Sequence, residues 1–459
     1  MTEIREKLCY EDKVILAPMV RIGTLPMRLL ALDYGADIVY TEEIVDFKMM
    51  RSIRRENDVL GTIDYIDRTD GTIIFRTTSR ESSRVVFQLG TCDPLRALEV
   101  AKLVEQDVAA VDINMGCPKS FSLMGGMGAA LLTKVEKATE ILRTLVKGLS
   151  IPVTCKIRVF QDLQKTLELC DALVSTGISA IAVHGRTVHE RQQHSNRNET
   201  IRAIAKHLSI PVIANGGSKE IEKYSDIEKF KNQTGCSSVM IARSAEWNCS
   251  IFRKDGLLPI EDVIKAYLKY AIDFDNSPSN TKYCVQNILR DLQESPMGKQ
   301  FLAAQTLEQI CRVFDMDDYC REKSEEYRNS GLQGRFQVEP TREGDGTDKG
   351  LKRKHVEEDD DVTLMRCAFL RNGYSDLELP KSRLLQWLRD NKKKDMPVYD
   401  TWREDKLFRS IVTVDGQKFS STFWEKNKKR AEQGAALVFL LSMGVVDEKQ
   451  LIESGHLTR

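Results

Sequence analysis

A lone cysteine, Cys117, sits between Gly116 and Pro118 at the end of the apolar stretch "VAAVDINMG", with Gly125, Gly126 and Gly128 following it. A thiol held in such a turn can be a redox centre, a metal ligand, a nucleophile, a proton donor or simple packing. The 11 cysteines of the chain are odd in number and scattered, and no two are spaced as Cys-x-x-Cys. That distribution argues against a zinc site or a disulfide framework and for a reducing compartment, so no metal is expected. The glycines match neither phosphate-loop pattern, because no Gly-Lys-Ser/Thr is present and no GxGxxG follows a strand directly.

Further residues able to do chemistry end other short apolar runs. In chain order they are Met19, Glu42, Gln88, Asn114 with Cys117, Lys156 with Arg158, His184, Asn215-Gly216-Gly217, and Ala242-Arg243. Singly, each has a bland reading. A histidine after a strand is usually a hydrogen-bonded surface residue, Lys156 could be a salt-bridge partner, and Asn-Gly-Gly is a turn signal. Gathered on one rim, they read differently. Gly216 and Gly217 let a backbone approach a phosphate closely and Arg243 adds charge, which would place a cofactor ring over the rim. Lys156 then suits an electron-rich edge of that ring, and Gln88 and Asn114 an amide-like edge.

The rim follows from the elements. Between residues 13 and 245 eight runs, "KVILAPM", "ADIVYTE", "RVVFQLG", "VAAVDINMG", "IPVTCKIRV", "SAIAVHGRT", "IPVIANGG" and "SSVMIAR", alternate with stretches of helical period such as "LRALEVAKLVEQ". The runs are continuously apolar, as parallel strands covered on both faces must be. The pattern predicts an α/β fold, a (β/α)8 barrel over residues 1–257, with a doubly wound sheet as the runner-up. A long insertion (44–84) follows the second run. Residues 258–328 read as a small helical domain, and 329–361, rich in Gly, Asp and Lys, as a flexible linker. Residues 362–446 read as α-β-β-β-α, the layout of a double-stranded-RNA-binding domain.

Bulk properties agree with such a chain. It has 459 residues, too many for one core, with 41% apolar and 30% charged residues. No apolar stretch is long enough to span a bilayer and the N-terminus lacks a signal-peptide core, so a cytoplasmic protein without a membrane partner is expected. The net charge is zero, yet from Lys381 to Arg430 there are fourteen Lys/Arg against seven Asp/Glu. That excess of seven points to an anionic partner for the C-terminal module.

The ordered set "APMVRIGTLPMRLLALDYGADIVYTE", "NMGCPKS…GGMGAALL", "VTCKIR", "VHGRT" and "IPVIANGG" resembles the tRNA-dihydrouridine synthases, flavin enzymes. With its C-terminal unit the chain is most similar to the eukaryotic branch acting on position 20 of the tRNA D-loop. The resemblance implies FMN as cofactor, NADPH as reductant and tRNA as partner, with the helical domain helping to grip tRNA; a monomer is expected. The family's flavin contacts fall on Pro18, Met19, Gln88, Lys156, His184, Asn215, Gly216, Gly217, Ala242 and Arg243, with Asn114 beside them, and its catalytic cysteine on Cys117. Bacterial members usually carry Gly at Ala242, Pro at Cys249 and an aromatic within "VHERQQH". In the RNA-binding unit, Lys428 and Lys429 fall on phosphate-binding positions. Glu432 stands where a third lysine is usual, with Arg366 and Arg371 placed to compensate.

Reducing the 5,6 double bond of uracil takes a hydride at carbon 6 and a proton at carbon 5. A thiol is mostly protonated at neutral pH and can give that proton, and a positioned acid is worth roughly 10²–10⁴ in rate. Cys117 is therefore read as the proton donor, on a loop that Gly125, Gly126 and Gly128 make mobile. Two readings compete with this one: a dihydroorotate-type dehydrogenase acting on a small molecule, and a non-catalytic double-stranded-RNA-binding regulator on an inactive flavin barrel.

Overall fold

The computed structural model describes residues 7–68, 71–304, 306–330, 361–369, 374, 378–393, 395–404, 407–425, 427–453 and 456–457. Contacts divide the chain into two compact units, Met1–Ile66 with Ile73–Glu326 and Asp67–Thr72 with Tyr327–Arg459.

In the first unit each of the eight apolar runs forms a strand: β1 (Val14–Leu16), β2 (Ile38–Tyr40), β3 (Val85–Gly90), β4 (Ala110–Met115), β5 (Val153–Arg158), β6 (Ala180–His184), β7 (Val212–Asn215) and β8 (Ser238–Ile241). Neighbours pair in parallel around a ring. β1 pairs with β8 at Val14↔Val239 and with β2 at Ile15↔Ile38, and β2 closes on β3 at Val39↔Val85. The result is a TIM barrel.

Side chains alternate between two cores. Ile15, Tyr40, Val86, Ala110, Ala182, Ile213 and Met240 fill the barrel interior with Tyr10. Their neighbours Leu16, Val39, Phe87, Val111, Val183 and Val239 face outward into the helical wall. Both faces are thus apolar, which is why the runs do not alternate. Local signals set the wall: Asp93 and Asp162 each accept two backbone N–H groups at the start of the helices Pro94–Val104 and Leu163–Val174.

The insertion after β2 is ordered. A two-residue strand, Ile44–Val45, pairs with Leu89 and Gly90 beyond the barrel ring, and a three-stranded sheet follows (Ser52–Asn57, Thr62–Asp67, Ile73–Thr77). Arg54 ties this sheet to the wall by gripping Asp107 with Nε and Nη2, at 2.8 and 2.9 Å. Helix α1 (Leu25–Asp33) buries Arg28 completely against Glu81, at 2.6 Å.

Beyond the barrel, α2 (Ile260–Asp273) packs on α1, and α3 (Pro278–Leu289) follows it. Val263, Tyr267, Ile288 and Phe301 join the same buried cluster as the barrel wall. The stretch 295–314 folds as two helices, Pro296–Ala303 and Leu307–Arg312. The second starts on a capping box, Thr306 with Gln309.

The second unit holds a four-stranded sheet. Its order is β9 (Val362–Met365), β12 (Gln417–Ser421), β11 (Leu407–Val414), β10 (Val398–Glu404). Helices α4 (Pro380–Asp390) and α5 (Lys428–Ser442) supply Leu384, Leu388, Ala435 and Phe439 to its core, where Phe439 meets Trp387 and Phe419 edge-on. The double-stranded-RNA-binding layout is present, with β9 as an added edge strand parallel to β12. Of the 329–361 stretch only 329, 330 and 361 are among the described residues.

Candidate active site

The C-terminal ends of the strands surround a cavity of about 300 Å3, at the lower end of the range for small-molecule sites. Pro18, Gln88, Asn114, Cys117, Lys156, His184, Asn215, Gly216, Gly217, Ala242 and Arg243 all line it. Met19 does not. It packs into the wall, and its carbonyl accepts from the N–H of Ile22 and Gly23. Glu42 also falls outside, where its carboxylate accepts from the Arg21 N–H at 2.8 Å.

A chain of polar side chains inside the barrel fixes the cysteine turn. Buried Asp112 accepts from Thr154 Oγ1 at 2.7 Å and from Gln88 Nε2 at 2.9 Å. Gln88 Oε1 accepts from Asn114 Nδ2 at 3.1 Å. Asn114 Oδ1 then accepts the N–H groups of Gly116 and Cys117 at 3.0 and 2.9 Å. Arg158 Nε clasps the turn from the other side through the Gly116 carbonyl at 2.9 Å. Gln88 and Asn114 therefore hold each other and the turn before they meet any ligand. The following glycines pack rather than cradle: a Cβ on Gly128 would stand 2.7 Å from the Cys117 carbonyl oxygen.

The electrostatics separate the roles. Burial holds the Lys156 ammonium down to about 8, and it has no hydrogen-bond or ion-pair partner among the described residues. It is a cation waiting for an electron-rich edge. Burial, then Lys156, Arg158 and Arg186, keep His184 well below the usual histidine range. Arg186 Nη1 lies 3.2 Å from His184 Nε2, which must accept, so the ring is neutral with its proton on Nδ1. Burial pushes the Cys117 thiol up and the neighbouring Glu43 adds to the rise, so the thiol stays protonated.

At the far end, Gly216 has φ +113°, and a Cβ there would stand 2.1 Å from Asn196 Oδ1. Only glycine fits. Arg243 is half exposed and its Nη1 lies 3.3 Å from Glu246. Arg191 and Gln192, from the loop after β6, also line the cavity.

In the second unit Lys428 and Lys429 are exposed at the start of α5, capped by Asn427. Glu432 is not simply a missing lysine: it is mostly buried and pairs with Lys381, with Lys428 at 3.8 Å. Arg366 is exposed at the end of β9, and Arg371 lies outside the described residues.

Glu43, Arg186 and Arg191 were not among the sequence candidates. Arg186 and Arg191 lie just beyond His184, and their place in a run of polar residues hides their roles. Glu43 adjoins Glu42, and the alternation of side chains along an extended segment sends the second acid, not the first, into the cavity.

The dihydrouridine synthase family profile matches residues 15–340, and that of the double-stranded RNA binding motif matches residues 380–443. The chain is similar to the tRNA-dihydrouridine(20) synthase [NAD(P)+] of Schizosaccharomyces pombe, 39% identical over 324 residues that cover 68% of the chain and 66% of that protein. It is also similar to the Saccharomyces cerevisiae protein of the same name, 36% identical over 299 residues, 61% of the chain and 78% of that protein. A solved variant of the human tRNA-dihydrouridine(20) synthase double-stranded-RNA-binding domain is 47% identical, covering 18% of this chain and 88% of that one, with a TM-score of 0.18.

Proposed function

The chain belongs to the dihydrouridine synthase family, and from that premise we propose that it reduces a uridine of tRNA to dihydrouridine, with uridine 20 of the D-loop as target, FMN as resident cofactor and NADPH as reductant. The names of its relatives, which specify position 20 and NAD(P)+, support the substrate and the electron source. One observation carries the chemistry: a protonated thiol, Cys117, and an unpaired, half-buried cation, Lys156, line the same cavity.

The residues fit FMN. Lys156 would meet the electron-rich edge of the ring, Gln88 and Asn114 its amide-like edge. The crowded glycine turn at Gly216, with Gly217 and Arg243, would take the phosphate. When bound, FMN supplies the hydride at carbon 6 of the uracil.

The chain's own part is the proton. As charge builds on the base, the S–H bond of Cys117 breaks and a C–H bond forms at carbon 5, leaving a thiolate that water reprotonates. Gly116, Asn114 and Arg158 hold the sulfur in place through the turn. His184 is neutral and can orient a ligand but cannot replace the acid. The second unit would hold tRNA phosphates through Lys428 and Lys429, with the helices after the barrel adding to the grip. The scattered cysteines, no two spaced as Cys-x-x-Cys, suit a reducing cytoplasm.

Stopped-flow reoxidation of the NADPH-reduced enzyme by tRNA tests this. Cys117→Ala should keep its flavin and its reduction by NADPH while reoxidation slows by roughly 10²–10⁴. Equal rates would mean that Cys117 is packing. A colourless wild-type protein would favour the non-catalytic RNA-binding regulator.

A further inference from the structure

Glu43 is the sole carboxylate among the described residues that line the cavity, and it lies beside the Cys117 thiol. Both of its oxygens are shut off from solvent, and among the described residues no nitrogen or oxygen donor meets them, only the Cys117 thiol. Its position is built. The short strand Ile44–Val45 pins the adjoining backbone against Leu89 and Gly90. Gly90 lacks the Cβ that would stand 2.8 Å from Glu43 Oε1, so the carboxyl occupies the room this glycine leaves. Buried acceptors served by no more than a thiol destabilise a fold, and on a residue that lines a ligand cavity they call for a ligand that satisfies them.

Beside carbon 5, a uracil ring carries the acceptor O4 on carbon 4 and then the donor N3–H. A protonated carboxyl is the complement of that edge, with one O–H donor and one carbonyl acceptor. We propose that Glu43 pairs with the imide edge of the uracil that Cys117 protonates, accepting from N3–H and donating to O4. The inference rests on the uridine-reducing reading above. Burial pushes the Glu43 carboxyl up, toward the form this pairing needs, although the nearby thiol offsets part of the rise. The bond to O4 also strengthens as hydride addition drives negative charge onto that oxygen, so Glu43 would act in the transition state as well as in binding.

The test compares three substitutions in the full-length, flavin-loaded protein, reading reduction by NADPH and reoxidation by a D-loop-containing tRNA transcript separately. Glu43→Ala should leave NADPH reduction unchanged and slow reoxidation by roughly 10- to 100-fold. Glu43→Gln should stay within about threefold of wild type, because an amide offers the same donor and acceptor pair. If the alanine variant loses its flavin, Glu43→Met, apolar and similar in size, takes its place with the same expected loss. Wild-type reoxidation in the alanine or methionine variant would overturn the proposal. A glutamine variant as slow as alanine would overturn it too, because charge beside Cys117 would then be what matters. A wild-type enzyme that NADPH reduces but tRNA cannot reoxidise would instead overturn the uridine-reducing reading, and this inference with it.

Discussion

Asp112 shows what a single residue in the barrel interior costs and does. Burial raises its carboxyl to about 6, against the donors Gln88 and Thr154, which pull the other way. The folded value lies above the unfolded one, so Asp112 contributes stability below about pH 4 that is lost as the pH rises through 6. At pH 7 its ionisation therefore costs about 3 kcal/mol. What it does is orient Gln88, and through Gln88 and Asn114 the cysteine turn. Asp112→Asn removes the titration while keeping an acceptor for Gln88. Relative to wild type, the variant should gain up to about 3 kcal/mol between pH 4 and pH 7, read from urea midpoints at the two values. A difference independent of pH would show that Asp112 does not ionise in this range.

At the scale of elements, the glycine turn after β7 is the sharpest constraint. Gly216→Ala adds a Cβ 2.1 Å from Asn196 Oδ1 at a backbone angle of φ +113°. Gly61, at φ +62°, has nothing within 4 Å of its Cβ position and serves as a control for backbone strain alone. Gly61→Ala should cost about 1 kcal/mol, whereas Gly216→Ala should cost more and lower the flavin-to-protein absorbance ratio of the purified enzyme. Equal flavin content in the two variants would place the phosphate elsewhere. The barrel strands were legible because burial on both faces writes continuous apolar runs. That Cys117, Lys156 and His184 line one cavity was legible because each sits at or just beyond a strand's C-terminal end. The three-stranded sheet in the insertion was not, since its strands alternate with charge and its anchor, Arg54 on Asp107, joins residues 53 apart. Glu43 escaped notice for a related reason. Only folding shows which of two adjacent acids loses its solvent and gains a thiol as neighbour.

At the scale of the whole molecule, a neutral chain carries a local excess of positive charge between Lys381 and Arg430, in the unit with the RNA-binding layout. Phosphate contacts there release counterions, so each contributes to the slope of log K against log salt. Lys429 is exposed and has no ion pair among the described residues, so all of its charge is available. Lys428 lies 3.8 Å from Glu432, whose other oxygen holds Lys381, so part of its charge is already countered. Lys429→Ala in the full-length protein should therefore lower the slope of tRNA binding by roughly one unit, and Lys428→Ala by less. Affinity should fall for any double-stranded RNA, because contacts at a helix start reach phosphates and not base edges. Filter-binding or anisotropy titrations at three or more salt concentrations give both quantities. A slope that neither substitution moves would mean that the start of α5 faces away from RNA. A larger effect at Lys428 would mean that Glu432 lets go of it when RNA arrives.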